Sequence, residues 1–243
     1  MRAVFLSDAH LRRDSDGGYE HLIRFFEQNK FKITHLFILG DFFDFWFCDK
    51  EHLYPEFGRM IAELVGMKEA GVEISLFEGN HDFFMASFFD KYGMKVFEND
   101  AVIDLDGKRV FLSHGDRVDT SNKGYLLLRR LLRSELFYKV QKIIPSFMLW
   151  RIAALSSRTS KNYLAKPPDG LTQKMRTFAL GKFGEGIDAV ILGHSHQALL
   201  EEYRVGGKTR IFSLLGDWIS HYTYLTYSDG GFYISWYKGE APV

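Results

Sequence analysis

One junction recurs along this chain and limits what it can fold into: a short apolar run that ends in a cluster of Asp, His or Asn. Residues 3–6 run into Asp8 and His10, and 35–39 into Gly40-Asp41. Residues 72–77 run into Gly79-Asn80-His81-Asp82, 110–112 into His114-Gly115-Asp116, and 189–192 into Gly193-His194-Ser195-His196. Continuous apolar runs of this length suit strands buried on both faces. Helical patterns lie between the early runs, roughly at 18–30 and 56–70, so the beginning reads β-α-β-α-β. Ligands of such sheets bind beyond the carboxyl ends of the strands. All five polar clusters stand at such ends.

The end of the chain is patterned differently. Residues 210–215, 222–227 and 231–236 alternate or are rich in β-formers, with Asp229-Gly230-Gly231 as a hairpin turn. They predict antiparallel strands that complete a second sheet. The fold expected is α/β: a two-sheet αββα sandwich in a single domain over 1–243, a length that one core can serve. Between about 122 and 165 the pattern changes again. Leu126, Leu127, Leu128, Leu131 and Leu132 interleave with Arg129, Arg130 and Arg133, and a second apolar helical stretch follows to Pro145. This predicts an inserted helical lid broken at Pro145.

Charge and composition narrow the function. Lys plus Arg and Asp plus Glu both number 31, so the formal net charge is zero and bulk charge predicts no nucleic-acid partner. That zero hides a split. Residues 117–166 hold 11 Lys or Arg against Asp119 and Glu135, giving +9 there and −9 elsewhere. The aromatic share is 16 % with 23 Phe, enough for a bulky core or for apolar surface facing a greasy ligand. The lone Cys48 cannot form an internal disulfide. The N-terminal apolar run is too short for a signal peptide, and no run of about 18 apolar residues suggests a membrane span. A cytoplasmic protein is expected.

The clustered residue types define a chemistry. Asp8, Asp41 and Asn80 offer oxygen; His10, His114, His194 and His196 offer imidazole. Oxygen ligands alone suit Mg²⁺, whereas this mixture suits a transition metal such as Mn²⁺. Seven ligands are too many for one ion with an open position. With one carboxylate bridging they suit two ions about 3.5–4 Å apart, an arrangement that serves phosphoester hydrolysis.

Asp8-Ala9-His10, Gly40-Asp41-Phe42-Phe43-Asp44, Gly79-Asn80-His81-Asp82, His114-Gly115 and Gly193-His194-Ser195-His196 resemble, in order, the five blocks of the calcineurin-like metallophosphoesterase superfamily. The resemblance implies two divalent metal ions. Asp8, His10, Asp41 and His196 would hold one; Asp41, Asn80, His114 and His194 would hold the other. It implies that His81 meets the scissile phosphate and aids the leaving group, that Asp44 supports the ligands, and that Asp82 orients His81. His21, His35, His52 and His221 belong to no block and are expected in surface or packing roles.

Within the superfamily the chain is most similar to the pyrophosphatases of lipid A synthesis. The shared features are its length, Asn80-His81-Asp82-Phe83, Gly216-Asp217-Trp218 and the helical insertion. That resemblance implies a UDP-linked acylated sugar as substrate and peripheral contact with the inner membrane. It also implies polar contacts to headgroup and phosphate from Ser157, Arg158, Ser160, Lys161, Asn162 and Lys166. The best-known branch carries Arg where this chain has His81, and a second branch carries His. Phe42, Phe43, Phe45, Trp46, Phe83 and Phe84 are expected either as an apolar rim at the site or as core. A soluble phosphodiesterase acting on nucleotides is the competing expectation.

Overall fold

The strand Ala3–Leu6 (β1) is buried along its whole length, and its side chains alternate between two cores. Ala3 and Phe5 face one, Val4 and Leu6 the other. A strand apolar on both faces needs a layer on each side, and the architecture follows from that requirement. The structure is a computed structural model that describes residues 1–12, 17–46, 54–145, 147–149, 151 and 170–238.

In chain order the described elements are β1, α1 (Gly17–Asn29), β2 (His35–Leu39), α2 (Gly58–Glu69), β3 (Glu73–Phe77), α3 (Ala86–Phe89), β4 (Lys95–Phe97), β5 (Ala101–Leu105) and β6 (Lys108–Ser113). Then come α4 (Lys123–Leu132), α5 (Glu135–Gln141), α6 (Leu171–Gly184), β7 (Ala189–Leu192), β8 (Ala198–Val205), β9 (Lys208–Leu215), β10 (Thr223–Ser228) and β11 (Gly231–Trp236). The first sheet has the order β11-β10-β1-β2-β3-β4 and the second β5-β6-β7-β9-β8. β1, β2, β3 and β4 pair in parallel, as do β6, β7 and β9.

Three apolar layers hold the sandwich. Phe5, Phe37, Leu39, Leu112, Ile191 and Tyr227 fill the space between the sheets. Leu22, Phe26 and Leu64 of α1 and α2 cover the outer face of the first sheet, and Met175, Ala179 and Phe183 of α6 cover the second. The α/β two-sheet sandwich expected from the sequence is the observed fold. The elements without strong alternation escaped sequence reading: β5 and β8 are half exposed, and α3 is short. Asp106-Gly107 and Gly206-Gly207, at positive φ, close the hairpins those two strands form.

The described residues 123–141 are helical, as expected, but their first break comes before Pro145. α4 ends at Arg133, and Ser134 caps α5 by accepting the Phe137 N–H at 3.2 Å. A serine that caps a new helix competes well with continuation of the old one.

Candidate metal centre

Parallel pairing sends β1, β2, β3, β6, β7 and β9 out of the sandwich at one end, so their exit loops meet. The loops are stitched by backbone bonds: Asp8 N–H to Gly40 O (3.1 Å), His10 N–H to Asp41 O (2.9 Å), and Gly193 N–H to His114 O (3.0 Å). Five of the seven candidate ligands, Asp8, His10, Asp41, His194 and His196, have φ between 43° and 66°. Non-glycine residues rarely adopt this region, and such strain gathers at functional sites. The turn glycines are there for room. A Cβ on Gly79 would strike Asp41 Oδ1, and one on Gly193 would come within 2.7 Å of Ser7 Oγ.

Three donor groups emerge: His10, Asp44 and His81, and two more that the expected ligands make. Asp8, His10 and His196 form the first of these two, and Asp41, His114 and His194 the second. Asp41 Oδ2 lies between them, 3.6 Å from His10 Nε2 and 3.5 Å from His114 Nε2. Asn80 joins the second group, with its Oδ1 3.1 Å from His114 Nε2. Each carboxylate spends one oxygen on the protein and aims the other inward. Asp8 Oδ2 accepts from Ser7 Oγ (2.5 Å) and His194 N–H (2.9 Å), and Asp41 Oδ1 accepts from His81 N–H (2.9 Å). The inward atoms Asp8 Oδ1, Asp41 Oδ2, His10 Nε2 and His196 Nε2 are buried without a hydrogen-bond partner among the described residues. Converging buried lone pairs are costly unless a cation lies among them. These residues fit two divalent ions.

The histidine tautomers agree. His114 Nδ1 lies 2.9 Å from Leu39 O, which can only accept, so its hydrogen stays there and Nε2 faces the donors. Burial lowers the His114 pKa, but the adjacent Asp41 outweighs it and pushes the value up to about 10. Asp41 is driven well below the usual carboxylate range: burial opposes this, and His114 and His81 overcome it. His194 is lowered to about 4 by burial and by the His114 charge.

Asp44 touches two of the expected site residues. Its Oδ1 is 3.5 Å from His10 Nδ1, and its carbonyl lies 3.0 Å from His81 Nδ1. The His10 and His81 rings meet edge to face at 4.7 Å. Asp82 holds the loops together. Its carboxylate accepts the N–H groups of Asp41, Phe42, Phe43 and Gly79 at 2.7–3.1 Å and so clamps the Asp41 loop to the Asn80 turn. His221 is not a plain surface residue either: its Nδ1 is 2.5 Å from Asp217 Oδ2, which also faces His196 Nδ1 at 3.9 Å. Asp217 was legible as a sixth copy of the junction, since β9 runs into Gly216-Asp217.

Of the two expectations for these aromatic residues, rim or core, the structure has core for five. Phe42, Phe43, Phe45, Trp46 and Phe83 are buried, and Phe43 and Trp46 pack onto Phe57 and Phe89. Only Phe84 is partly open, and it meets Tyr138 of α5 edge to face at 5.0 Å. Exposed apolar surface lies instead on the insertion, at Leu127, Leu128, Leu131, Leu136, Val140 and Ile143. His21 packs against Tyr222. Ser157, Arg158, Ser160, Lys161, Asn162 and Lys166, together with His52 and Cys48, lie outside the described residues.

A two-sheet sandwich with this donor set at the strand ends defines a metal-dependent hydrolase. The model of the calcineurin-like phosphoesterase family matches residues 1–198, and the chain belongs to that family. Among its curated relatives, a UDP-2,3-diacylglucosamine hydrolase of Neisseria gonorrhoeae is 31 % identical over 232 residues, covering 94 % of each chain. The protein of the same name from Stutzerimonas stutzeri is 30 % identical, covering 88 % of this chain and 90 % of its own. That from Aeromonas salmonicida is 29 % identical, covering 95 % and 91 %.

Proposed function

We propose that this chain hydrolyses the pyrophosphate of UDP-2,3-diacylglucosamine, releasing UMP and 2,3-diacylglucosamine 1-phosphate, with two divalent ions, Mn²⁺ by preference. The observation that carries the reading is Asp41 Oδ2 between His10 Nε2 and His114 Nε2, a shared oxygen joining two donor groups. Asp8, His10, Asp41 and His196 would hold one ion; Asp41, Asn80, His114 and His194 the other. Bound ions of this kind lower the pKa of water and neutralise phosphoryl charge. Relatives named for this substrate match nearly the full chain, and the mixed oxygen and imidazole set favours Mn²⁺ over Mg²⁺.

The protein's own groups do the rest. A water oxygen bonds to the α-phosphorus while the bridging P–O bond breaks and the sugar 1-phosphate departs. Asp44 O keeps the His81 hydrogen on Nδ1, so it is through Nε2 that His81 would meet and aid the departing oxygen. The chain acts as one domain over 1–243, with the insertion at about 122–165 receiving the acyl chains. Exposed leucines beside Lys123, Arg130, Lys139 and Lys142 suit an anionic, apolar membrane face. On this reading the protein works peripherally on the cytoplasmic side of the inner membrane. No helix among the described residues is long and apolar enough to cross a membrane. Ser157, Arg158, Ser160, Lys161, Asn162 and Lys166 are proposed to meet the headgroup.

The test is mass-spectrometric detection of UMP from the acylated UDP-sugar in Mn²⁺, with His114→Ala alongside. UMP from wild type and at least a hundredfold less from the variant is the outcome expected on the scale of lost catalytic groups. Hydrolysis of a simple nucleotide diester without UMP from this substrate would move the assignment to a soluble phosphodiesterase.

A further inference from the structure

α4 turns a polar face toward two of the candidate ligand loops. Tyr125, Arg129 and Arg133 recur every four residues along α4 and its cap, so they share one face of the helix. Tyr125 Oη–H and Arg129 Nε–H both donate to Asp116 Oδ2, at 2.8 and 2.6 Å. Asp116 is buried and follows His114-Gly115. Arg133 Nη1–H donates to Glu78 Oε2 at 2.7 Å and to Glu98 O at 3.1 Å, while Nη2–H donates to Gly79 O at 2.7 Å. Gly79 immediately precedes Asn80. Glu78 in turn closes the loop, since its Oε1 accepts the Met85 N–H at 2.8 Å. The other face of α4 shows Leu127, Leu128 and Leu131 to solvent.

The loops gripped in this way are those of Asn80 and His114, whose side chains meet at 3.1 Å. Both belong to the same donor group. The loops of Asp8, His10 and His196 are tied to one another and to Trp218 N–H. Among the described residues, the direct hydrogen bonds of the Tyr125–Arg129–Arg133 face therefore reach the loops of Asn80 and His114 and not those of Asp8, His10 and His196.

We propose that α4 is a strap: its Tyr125–Arg129–Arg133 face sets the geometry of the Asn80 and His114 loops, so the insertion tunes one of the two metal positions. Arg129 and Arg133 are positioning residues that act through Asp116, Glu78 and Gly79. A fork of guanidinium donors suits this role, because Arg133 must satisfy a carboxylate and a carbonyl together. The inference rests on the dinuclear reading above.

Calorimetric titration of metal-free protein with Mn²⁺ tests it, with melting temperature and UMP release measured beside it. Arg133→Ala and Arg129→Ala should each weaken one metal equivalent by about 10–100-fold, the usual effect of losing a group that orients a ligand. The other equivalent should stay within about twofold on the same scale. Arg133→Lys should recover part of the loss. Arg130→Ala removes the same charge from the same helix at an exposed position without a hydrogen bond among the described residues, and should change neither equivalent. Equal weakening of both equivalents in step with a lowered melting temperature overturns the strap, as does unchanged metal binding in Arg133→Ala. If Arg133→Ala does not fold, Glu78→Gln keeps an acceptor for Met85 and loosens Arg133, and the same one-sided loss is required. Wild type that binds two ions without releasing UMP refutes the substrate assignment, and the titrations still decide the strap.

Discussion

His114 concentrates the chemistry of the centre in one ring. Leu39 O holds its Nδ1 hydrogen, and Asp41 and Asn80 oxygens surround Nε2. Burial lowers the ring's pKa, but Asp41 beside it outweighs this and raises the value from an ordinary 6.5 to about 10. Because the folded value lies above the unfolded one, the stabilisation is complete below 6.5 and is lost as pH rises toward 10. Metal-free protein should therefore melt at progressively lower temperature between pH 7 and pH 10. A metal must displace that proton, so affinity should rise with pH, by about tenfold per unit for one proton displaced. Titrations at pH 7.5 in buffers of different ionisation enthalpy count the proton, and a buffer-independent heat would contradict this account. The seven candidate ligands were legible because each has a distinctive side chain at the end of an apolar run. Of the groups that hold them, Asp116 and Asp217 stand at such junctions, whereas Glu78 looks like an ordinary surface acid in sequence and only its burial, at 3 % exposure, marks it.

Elements decide how the aromatic residues are used. The loop after β2 reads as a rim because Phe42, Phe43, Phe45 and Trp46 sit beside Asp41 and Asp44 in sequence. In the fold it turns inward: Leu11 and Phe43 form an isolated bridge, and Leu11 N–H bonds to Phe42 O at 2.9 Å. Phe43 then packs between Trp46 and Phe57 at 4.8 and 4.6 Å. Phe43→Ala should cost about 3–5 kcal/mol in chemical denaturation, as a large cavity in a close-packed cluster does. A loss below about 1 kcal/mol, the range of surface changes, would return Phe43 to a rim role. α4 shows the converse. Its leucines satisfy helical spacing, yet they face outward, because the side of the helix toward the site is taken by Tyr125, Arg129 and Arg133.

At the scale of the whole molecule, the apolar face of the insertion and the polar centre are separate surfaces joined by that strap. Replacing Leu127, Leu131 and Leu136 by Ser should therefore act on the acylated substrate alone. KM for it should rise about tenfold or more, since each buried methylene contributes roughly 0.8 kcal/mol. kcat on a small chromogenic diester should stay unchanged, and equal losses on both substrates would show that these leucines support the fold instead.

The sequence by itself determined the strand junctions and which oxygen and imidazole side chains stand at them as candidate ligands, because those depend on local hydrophobic pattern and on side-chain chemistry. It also determined the α/β class, since runs apolar on both faces demand two covering layers. Which donors share Asp41, which carboxylates hold the histidines, and which face of α4 meets the loops were decided only by tertiary structure. Those contacts join residues far apart in the chain, such as His194 N–H and Asp8 Oδ2, and the register that brings them together is set by sheet pairing and burial, which no local pattern records.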